Sequence, residues 1–341
     1  MTGRVEGMPS GLGTGIGPMP GADPAEAVRM VSGETDFAFL PELPARGVGA
    51  DSVGRTGAVL IDMPFEVVHD AYRMTSRSGS VMRRARDFLA RDLDAVEAHW
   101  DEAGLIGTGR LLKVQLCGPF TYGARVELRN GHKVVRDKGA RRDVVASMAD
   151  GLADHVREVE RRLGAQVIVQ LDEPDLERVL DGSVTPLTRL DPIPPVPAPL
   201  IAQRLEEMAA VIGRPMILHG GDRPHSELCS MLDSYAVTVD FSHPLPDGEK
   251  DQLGVYLDQG GIMLVGVVPP SRPLVAPRAE EIAQRMAVLI DEIGLPRTVL
   301  RDNVIVTPHT GLAEASPEWA AAALRIASRT SELMAQDPDA L

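Results

Sequence analysis

The sequence is short of cysteine and of aromatic residues, and each shortage excludes a class of protein. Two cysteines, Cys117 and Cys229, stand among its 341 residues. They are too few for a disulfide framework or for a cysteine-rich zinc module. Phe, Trp and Tyr together make up 4% of the chain, so its core must be built from Val, Leu, Ile, Ala and Met.

Basic charge and long apolar runs are also scarce. Lys and Arg number 35 against 49 Asp and Glu, a net charge of −14. An acidic chain without a long basic run is a poor candidate for binding nucleic acid. No stretch reaches the roughly 18 consecutive apolar residues of a membrane span, and residues 1–21 lack the apolar segment of a secretory signal. We therefore expect a cytoplasmic protein with small-molecule partners and no membrane or nucleic-acid partner.

The remaining composition is that of a globular protein rich in turns. Hydrophobic residues make up 44% and charged residues 25%, both close to globular averages. Gly (33) and Pro (27) are more frequent than usual, which indicates many turns and tight backbone positions. The length fits either two ordinary domains or one large α/β barrel.

Short, nearly continuous apolar runs predict buried parallel strands, because a strand covered on both faces does not alternate. Six clear runs and two weaker ones have this character. The clear ones are 112–117, 166–171, 215–218, 236–239, 262–268 and 303–307, and the weaker ones are 12–17 and 36–40.

Helical patterns connect most of these strands, which predicts a (β/α)₈ barrel. The predicted helices cover residues 83–104, 143–163, 198–212, 225–232, 278–293 and 316–334. The whole chain, 1–341, is predicted to form one α/β barrel domain, with a helical excursion at residues 44–109 between strands 2 and 3. The alternative is an open, doubly wound sheet, with the Pro-rich run 191–199 as a linker.

Five of the eight predicted strands end in an acid or a histidine. These residues are Glu42, Asp172, His219, Asp240 and His309. Because the carboxyl ends of barrel strands surround the ligand site, we expect these side chains to converge. Asp240 is predicted to orient the His219 imidazole, as a carboxylate does for a metal-bound histidine.

Four motifs at these strand ends resemble the catalytic half of cobalamin-independent methionine synthase, a family within a wider superfamily that includes uroporphyrinogen decarboxylase. They are Gly15-Ile16-Gly17 with Met19-Pro20, Leu116-Cys117-Gly118-Pro119-Phe120-Thr121, Val169-Gln170-Leu171-Asp172-Glu173-Pro174, and Thr307-Pro308-His309-Thr310-Gly311-Leu312. The third, which matches a Gln-x-Asp-Glu-Pro-Ala strand end, is the most specific. The resemblance extends from about residue 13 to the final helix.

The resemblance implies a methyltransferase similar to 5-methyltetrahydropteroyltriglutamate–homocysteine S-methyltransferase, active in methionine biosynthesis. Its members transfer a methyl group from 5-methyltetrahydrofolate to the homocysteine thiol, which a zinc ion holds as the nucleophilic thiolate. Carried over by motif, Asp172 and Glu42 would bind the homocysteine amine. The other substrate-binding positions implied are Gly17, Gly118, Thr121 and Glu173.

The implied zinc site departs from the family pattern. His219 fits the first ligand and Asp240 stands at the glutamate position, but Gly221 and Thr310 replace the two cysteines. His219, Asp240 and His309 together would form a two-histidine, one-carboxylate set of the kind that holds catalytic zinc. Further candidate ligands are His225, Cys229 and His243.

Two other positions differ from the family, and two other functions stay open. Pro18 replaces a serine, and Gly266-Val267-Val268 replaces an Asp-x-His motif. One alternative is a metal-independent enzyme similar to uroporphyrinogen decarboxylase, whose acidic substrate would need basic residues; the candidates are Arg46, Arg55, Arg223 and Arg272. The other is a non-catalytic homologue that binds an amino acid or a pterin.

Overall fold

The computed structural model describes residues 5–221 and 226–341. Ten strands lie within these two ranges. They are β1 (Leu12–Gly13), β2 (Ala38–Phe39), β3 (Phe65–Val68), β4 (Ala71–Met74), β5 (Leu111–Cys117), β6 (Gln166–Asp172), β7 (Met216–His219), β8 (Tyr235–Asp240), β9 (Met263–Val268) and β10 (Val304–Pro308). The eight predicted strands are all confirmed, whereas β3 and β4 were not predicted.

Eight strands form one parallel sheet in the order β1-β10-β9-β8-β7-β6-β5-β2. Apart from the hairpin β3–β4, each strand is therefore next to its neighbours along the chain, as in a barrel. The two edges meet where Pro18 pairs with Glu42 in a parallel bridge. There Met19 N–H donates to Glu42 O (2.8 Å), and Glu42 N–H donates to Gly17 O (3.0 Å). The predicted (β/α)₈ barrel is thus confirmed, and the doubly wound alternative is wrong.

Twelve α-helices lie in the described ranges. They are α1 (Pro24–Glu34), α2 (Ser52–Val59), α3 (Ser80–Glu102), α4 (Pro119–Arg125), α5 (Lys138–Leu163), α6 (Leu176–Asp181), α7 (Ala198–Ile212), α8 (Ser226–Cys229), α9 (Asp247–Asp258), α10 (Ala279–Ile293), α11 (Val299–Asp302) and α12 (Pro317–Gln336). The five long predicted helices correspond to α3, α5, α7, α10 and α12. The short one, 225–232, begins at a residue outside the described ranges. Over the described residues, no helix has both the length and the apolar character needed to span a bilayer.

The excursion, residues 44–109, is not purely helical. It contains α2 and α3, but the antiparallel hairpin β3–β4 lies between them. Its turn is made by His69 and Asp70, both with positive φ. Asp92 of α3 ties the excursion together, because its buried carboxylate pairs with Arg46 (2.7 Å) and Arg55 (2.6 Å).

The barrel interior changes from apolar to polar along the strands. Near their amino ends, Phe37, Ile168, Ile217, Leu264 and Ile305 form a buried cluster inside the barrel. A much larger apolar cluster lies between the sheet and the helices. Further along the strands there are also buried polar residues, which are Thr14, Lys113, Gln115, Gln170, Thr238 and Thr307. This polar layer forms the floor of the barrel mouth.

Candidate active site

His219 and Asp172 form a hydrogen-bonded pair at the mouth. They are register partners on the neighbouring strands β7 and β6, and His219 Nδ1 lies 2.9 Å from Asp172 Oδ1. An ionised carboxylate only accepts hydrogen bonds, so Nδ1 carries the proton. The carboxylate that orients His219 is therefore Asp172, whereas Asp240 was the predicted partner.

Glu42 is buried at the same end of the barrel, with 2% of its surface exposed. Burial raises its pKa to about 7; the Arg55 charge opposes this shift and the Asp172 charge adds to it. Among the described residues, Glu42 Oε1 has no hydrogen-bond partner. A buried carboxylate oxygen without a donor is costly, so this site is suited to a ligand that brings a cationic donor.

Lys113 and Gln170 lie beneath these acids and were not predicted as site residues. Both are fully buried. Lys113 Nζ donates to Ile16 O (2.9 Å) and to Gln170 Oε1 (2.6 Å). Gln170 Nε2 donates to Ile16 O (2.8 Å) and to Asp172 Oδ1 (2.7 Å). A continuous hydrogen-bonded network therefore runs from the barrel interior to Asp172.

Gly17 and Gly118 make room for the polar side chains of the mouth. Gly17 has φ +150°, and a Cβ there would lie 2.7 Å from Gln115 Cγ. At Gly118 a Cβ would lie 2.4 Å from Glu173 Oε1. Both glycines were predicted as substrate-binding positions; their evident role is to let the Gln115 and Glu173 side chains approach the backbone.

Glu173 and Thr121, also predicted to bind substrate, face the protein. The fully buried Glu173 carboxylate accepts the N–H groups of Phe120 (2.9 Å) and Thr121 (2.6 Å). It thereby satisfies free donors at the start of α4. Burial raises the Glu173 pKa to about 7, against these hydrogen bonds. Thr121 Oγ1 accepts the N–H of Asp175 (3.1 Å), so both side chains brace the α4 end of the mouth.

A second histidine–carboxylate pair, Asp240 with His309, spans β9 from β8 and β10. His309 Nδ1 is hydrogen-bonded to Asp240 Oδ1. Asp240 also accepts the N–H and the hydroxyl of Ser242, both at 2.8 Å. Gly266 is the β9 register partner of Asp240, and a Cβ at Gly266 would lie 3.0 Å from His309 Cα. The missing side chain on β9 therefore lets the pair form.

Comparison with known proteins identifies the family. The family described as cobalamin-independent synthase, catalytic domain, matches residues 12–332. The chain belongs to this family. Comparison with curated proteins gives no match.

Two solved structures share the fold of this chain. One is a B12-independent methionine synthase from Shewanella sp. W3-18-1, in complex with selenomethionine. It has 13% identity and a TM-score of 0.57, with 96% of this chain and 99% of that chain covered. The other is a methyltransferase from Methanosarcina mazei, with 13% identity and a TM-score of 0.53, covering 98% of this chain and 94% of that chain.

The zinc ion that the family resemblance implies does not fit the described residues. His219 is hydrogen-bonded to Asp172 and His309 to Asp240, each through Nδ1, and the Asp240 carboxylate also accepts from the Ser242 hydroxyl. The predicted set of His219, Asp240 and His309 is thus divided between two separate pairs. Over residues 5–221 and 226–341, no three or more His, Cys, Asp or Glu side chains are grouped to hold a metal ion.

Neither cysteine supplies a ready thiolate, although Cys229 was among the further predicted ligands with His225 and His243. Cys117 is buried, and burial followed by the Glu173 charge raises the pKa of its thiol well above the usual value. Burial also raises the pKa of Cys229 to about 12. His243 is exposed, with its Nδ1 3.0 Å from Ser242 Oγ. His225 lies outside the described residues.

Two of the four arginines expected for an acidic substrate form ion pairs within the excursion. Arg46 and Arg55 are buried against Asp92 within the excursion. Arg272 is exposed on the segment between β9 and α10. Arg223 lies outside the described residues. The buried pairing of Arg46 and Arg55 gives no support to the decarboxylase alternative.

Proposed function

We propose that this protein methylates the thiol of homocysteine, with a 5-methyltetrahydrofolate polyglutamate as methyl donor. The observation that carries the proposal is the unpartnered oxygen of Glu42, buried near Asp172 at the mouth. The ammonium group of an α-amino acid offers three hydrogen-bond donors and a positive charge. It would therefore suit a site with two carboxylates, one of which has an oxygen without a hydrogen-bond donor. Family membership supports the same assignment.

The thiol must lose its proton to become a good nucleophile, since a free thiol has a pKa near ~8.5. Because the described residues do not fit zinc, the proposed base is an imidazole. His219 and His309 are each held by a carboxylate through Nδ1, which leaves Nε2 to accept a proton. The resulting thiolate forms a bond to the methyl carbon as the methyl–N5 bond of the folate breaks. The electron pair of that bond stays on N5, which takes up the proton.

The test is a methyl-transfer assay with purified protein, homocysteine and 5-methyltetrahydropteroyltriglutamate, in which methionine is quantified by mass spectrometry. We expect methionine to form with and without a chelator. Asp172→Ala should abolish this activity, whereas Thr330→Val, a change at a buried threonine of α12 away from the mouth, should leave it. Loss of activity in chelator with recovery on adding zinc would refute the metal-independent step.

A second candidate function is non-catalytic binding of an amino acid or a pterin. It is favoured by one observation: Gly221, Gly266 and Thr310 all replace family residues of the chemical step, while Glu42 and Asp172 remain. A binding protein should be stabilised by its ligand by about 2.7 kcal/mol at a 100-fold excess over Kd, without methionine formation. If neither homocysteine nor a folate raises the melting temperature, both candidate functions fail.

A further inference from the structure

We infer that Gln170 and Lys113 are positioning residues that hold the Asp172 carboxylate ready for the ammonium group of the ligand. Neither side chain reaches the surface of the mouth, because both are fully buried. They act through Asp172, to which Gln170 donates directly and Lys113 is linked through Gln170. This inference rests on the proposed amino-acid ligand and deepens it.

The orientation of the Gln170 amide follows from its neighbours. Lys113 Nζ lies 2.6 Å from one end of the amide. An ammonium group only donates hydrogen bonds, so that end must be the oxygen. The other end must then be the NH₂ group, and it faces two acceptors, Ile16 O (2.8 Å) and Asp172 Oδ1 (2.7 Å). A flipped amide would place two acceptors against each other and two donors against each other.

This orientation determines which oxygen of Asp172 is available. Oδ1 accepts from Gln170 Nε2 and from His219 Nδ1. Two donors from two strands fix the plane of the carboxylate. Among the described residues, both hydrogen bonds to the Asp172 side chain go to Oδ1, and we infer that Oδ2 serves the ligand. A fixed acceptor loses less conformational entropy on binding than a freely rotating one.

The Lys113 ammonium also balances charge around the ligand. Burial lowers the Lys113 pKa to about 7, against the attraction of Asp172 and then of Glu42. The two carboxylates thus favour the charged form of Lys113, whereas burial opposes it. The Arg55 charge also acts on Glu42, where it opposes the rise in pKa that burial causes. The ammonium group of an α-amino acid would add a further positive charge beside the two acids.

The test compares two ligands that differ only in the amine, homocysteine and 4-mercaptobutanoate, by calorimetric titration of the full chain. The variant is Gln170→Leu, which removes the donor to Asp172 without adding a charge. We expect the wild type to prefer homocysteine, and the variant to lose roughly tenfold or more of that preference. Its affinity for 4-mercaptobutanoate should change little. A purely structural defect would weaken both ligands alike.

Two further variants complete the experiment. Thr330→Val changes a buried side chain of α12, away from the barrel mouth, whose hydroxyl donates to Ile326 O within the helix, so it should keep the full preference. Gln170→Met removes the same donor as Gln170→Leu, with a flexible side chain and no change of charge. It should also reduce the preference, and it replaces Gln170→Leu if that variant shows no cooperative melting. If the variant keeps the full preference for homocysteine over 4-mercaptobutanoate, the inference about positioning is wrong but the proposed function stands. If the wild type itself shows no preference for homocysteine, the proposed function is wrong as well.

Discussion

Replacing Glu42 by Gln would separate the stability of the barrel from its proposed function. The side chain is 2% exposed and has one oxygen without a hydrogen-bond partner among the described residues. Gln has nearly the same shape but no charge to desolvate. We expect Glu42→Gln to stabilise the folded protein at neutral and alkaline pH, and to abolish amine recognition.

The magnitude follows from the pKa of Glu42, which burial raises from 4.5 to about 7. Each unit corresponds to about 1.36 kcal/mol, so ionised Glu42 costs the folded state ~3 kcal/mol. Between pH 4.5 and 7 the folded state binds more protons than the unfolded state, so the wild-type free energy of unfolding falls as pH rises. The variant lacks this fall. Its advantage is absent below pH 4.5 and reaches ~3 kcal/mol above pH 7.

The assay is thermal unfolding of wild type and Glu42→Gln from pH 4.5 to 8.5. With an unfolding entropy of about 2.1 cal/mol/K per residue, ~3 kcal/mol raises the melting temperature of this chain by ~4 °C. The control is Glu314→Gln, at an exposed position, whose effect should not vary with pH. Homocysteine should raise the melting temperature of the wild type only. A constant difference across the pH range, or a variant less stable at pH 8, would refute the reasoning.

Three other predictions follow from buried or crowded positions. Gly266→Ala would place a Cβ against His309 and should lower the free energy of unfolding by about 1–3 kcal/mol, measured by chemical denaturation. The control is Gly33→Ala, in α1 with open space around it, which should raise the free energy of unfolding by up to about 1 kcal/mol. Asp92→Asn leaves two buried arginines without their shared charge partner and should cost about 3–5 kcal/mol, measured in the same way. Homocysteine binding near pH 7 should release a proton as Glu42 ionises beside the ammonium, which calorimetry in buffers of different ionisation enthalpy would detect; equal heats in all buffers would contradict it.

The barrel could be predicted because its strands are buried on both faces and therefore appear as continuous apolar runs. The hairpin β3–β4 was not predicted, because its strands have four residues each and are only partly buried. Helix α9 buries only Leu253 and Leu257, so its amphipathic pattern is weak. Helix α1 was not predicted either, although its start has a recognisable sequence pattern. Asp23 caps the helix and Pro24 is its first residue, as is common at helix starts.

The members of the site could be predicted better than their pairing. Motifs at the strand ends identify Asp172, His219, Asp240 and His309, but which acid meets which histidine depends on the register between strands. Asp172 is level with His219, while the register shifts on β10 just before His309. Lys113 was missed because it stands in an apolar strand, where one basic residue gives no periodic signal.

Apart from Pro18, which follows β1 and pairs with Glu42, the departures from the family pattern lie on or after strands β7 to β10. Glu42 and Asp172 lie at the ends of strands β2 and β6, on the side where the Lys113 network holds Asp172. Gly221 follows β7, Gly266 lies in β9 and Thr310 follows β10. The pair of Asp240 and His309 needs a small residue between its members, because a Cβ at Gly266 would lie 3.0 Å from His309 Cα. Under the proposed function, ligand recognition would therefore rest on Glu42 and Asp172, while this pair would serve to activate the thiol.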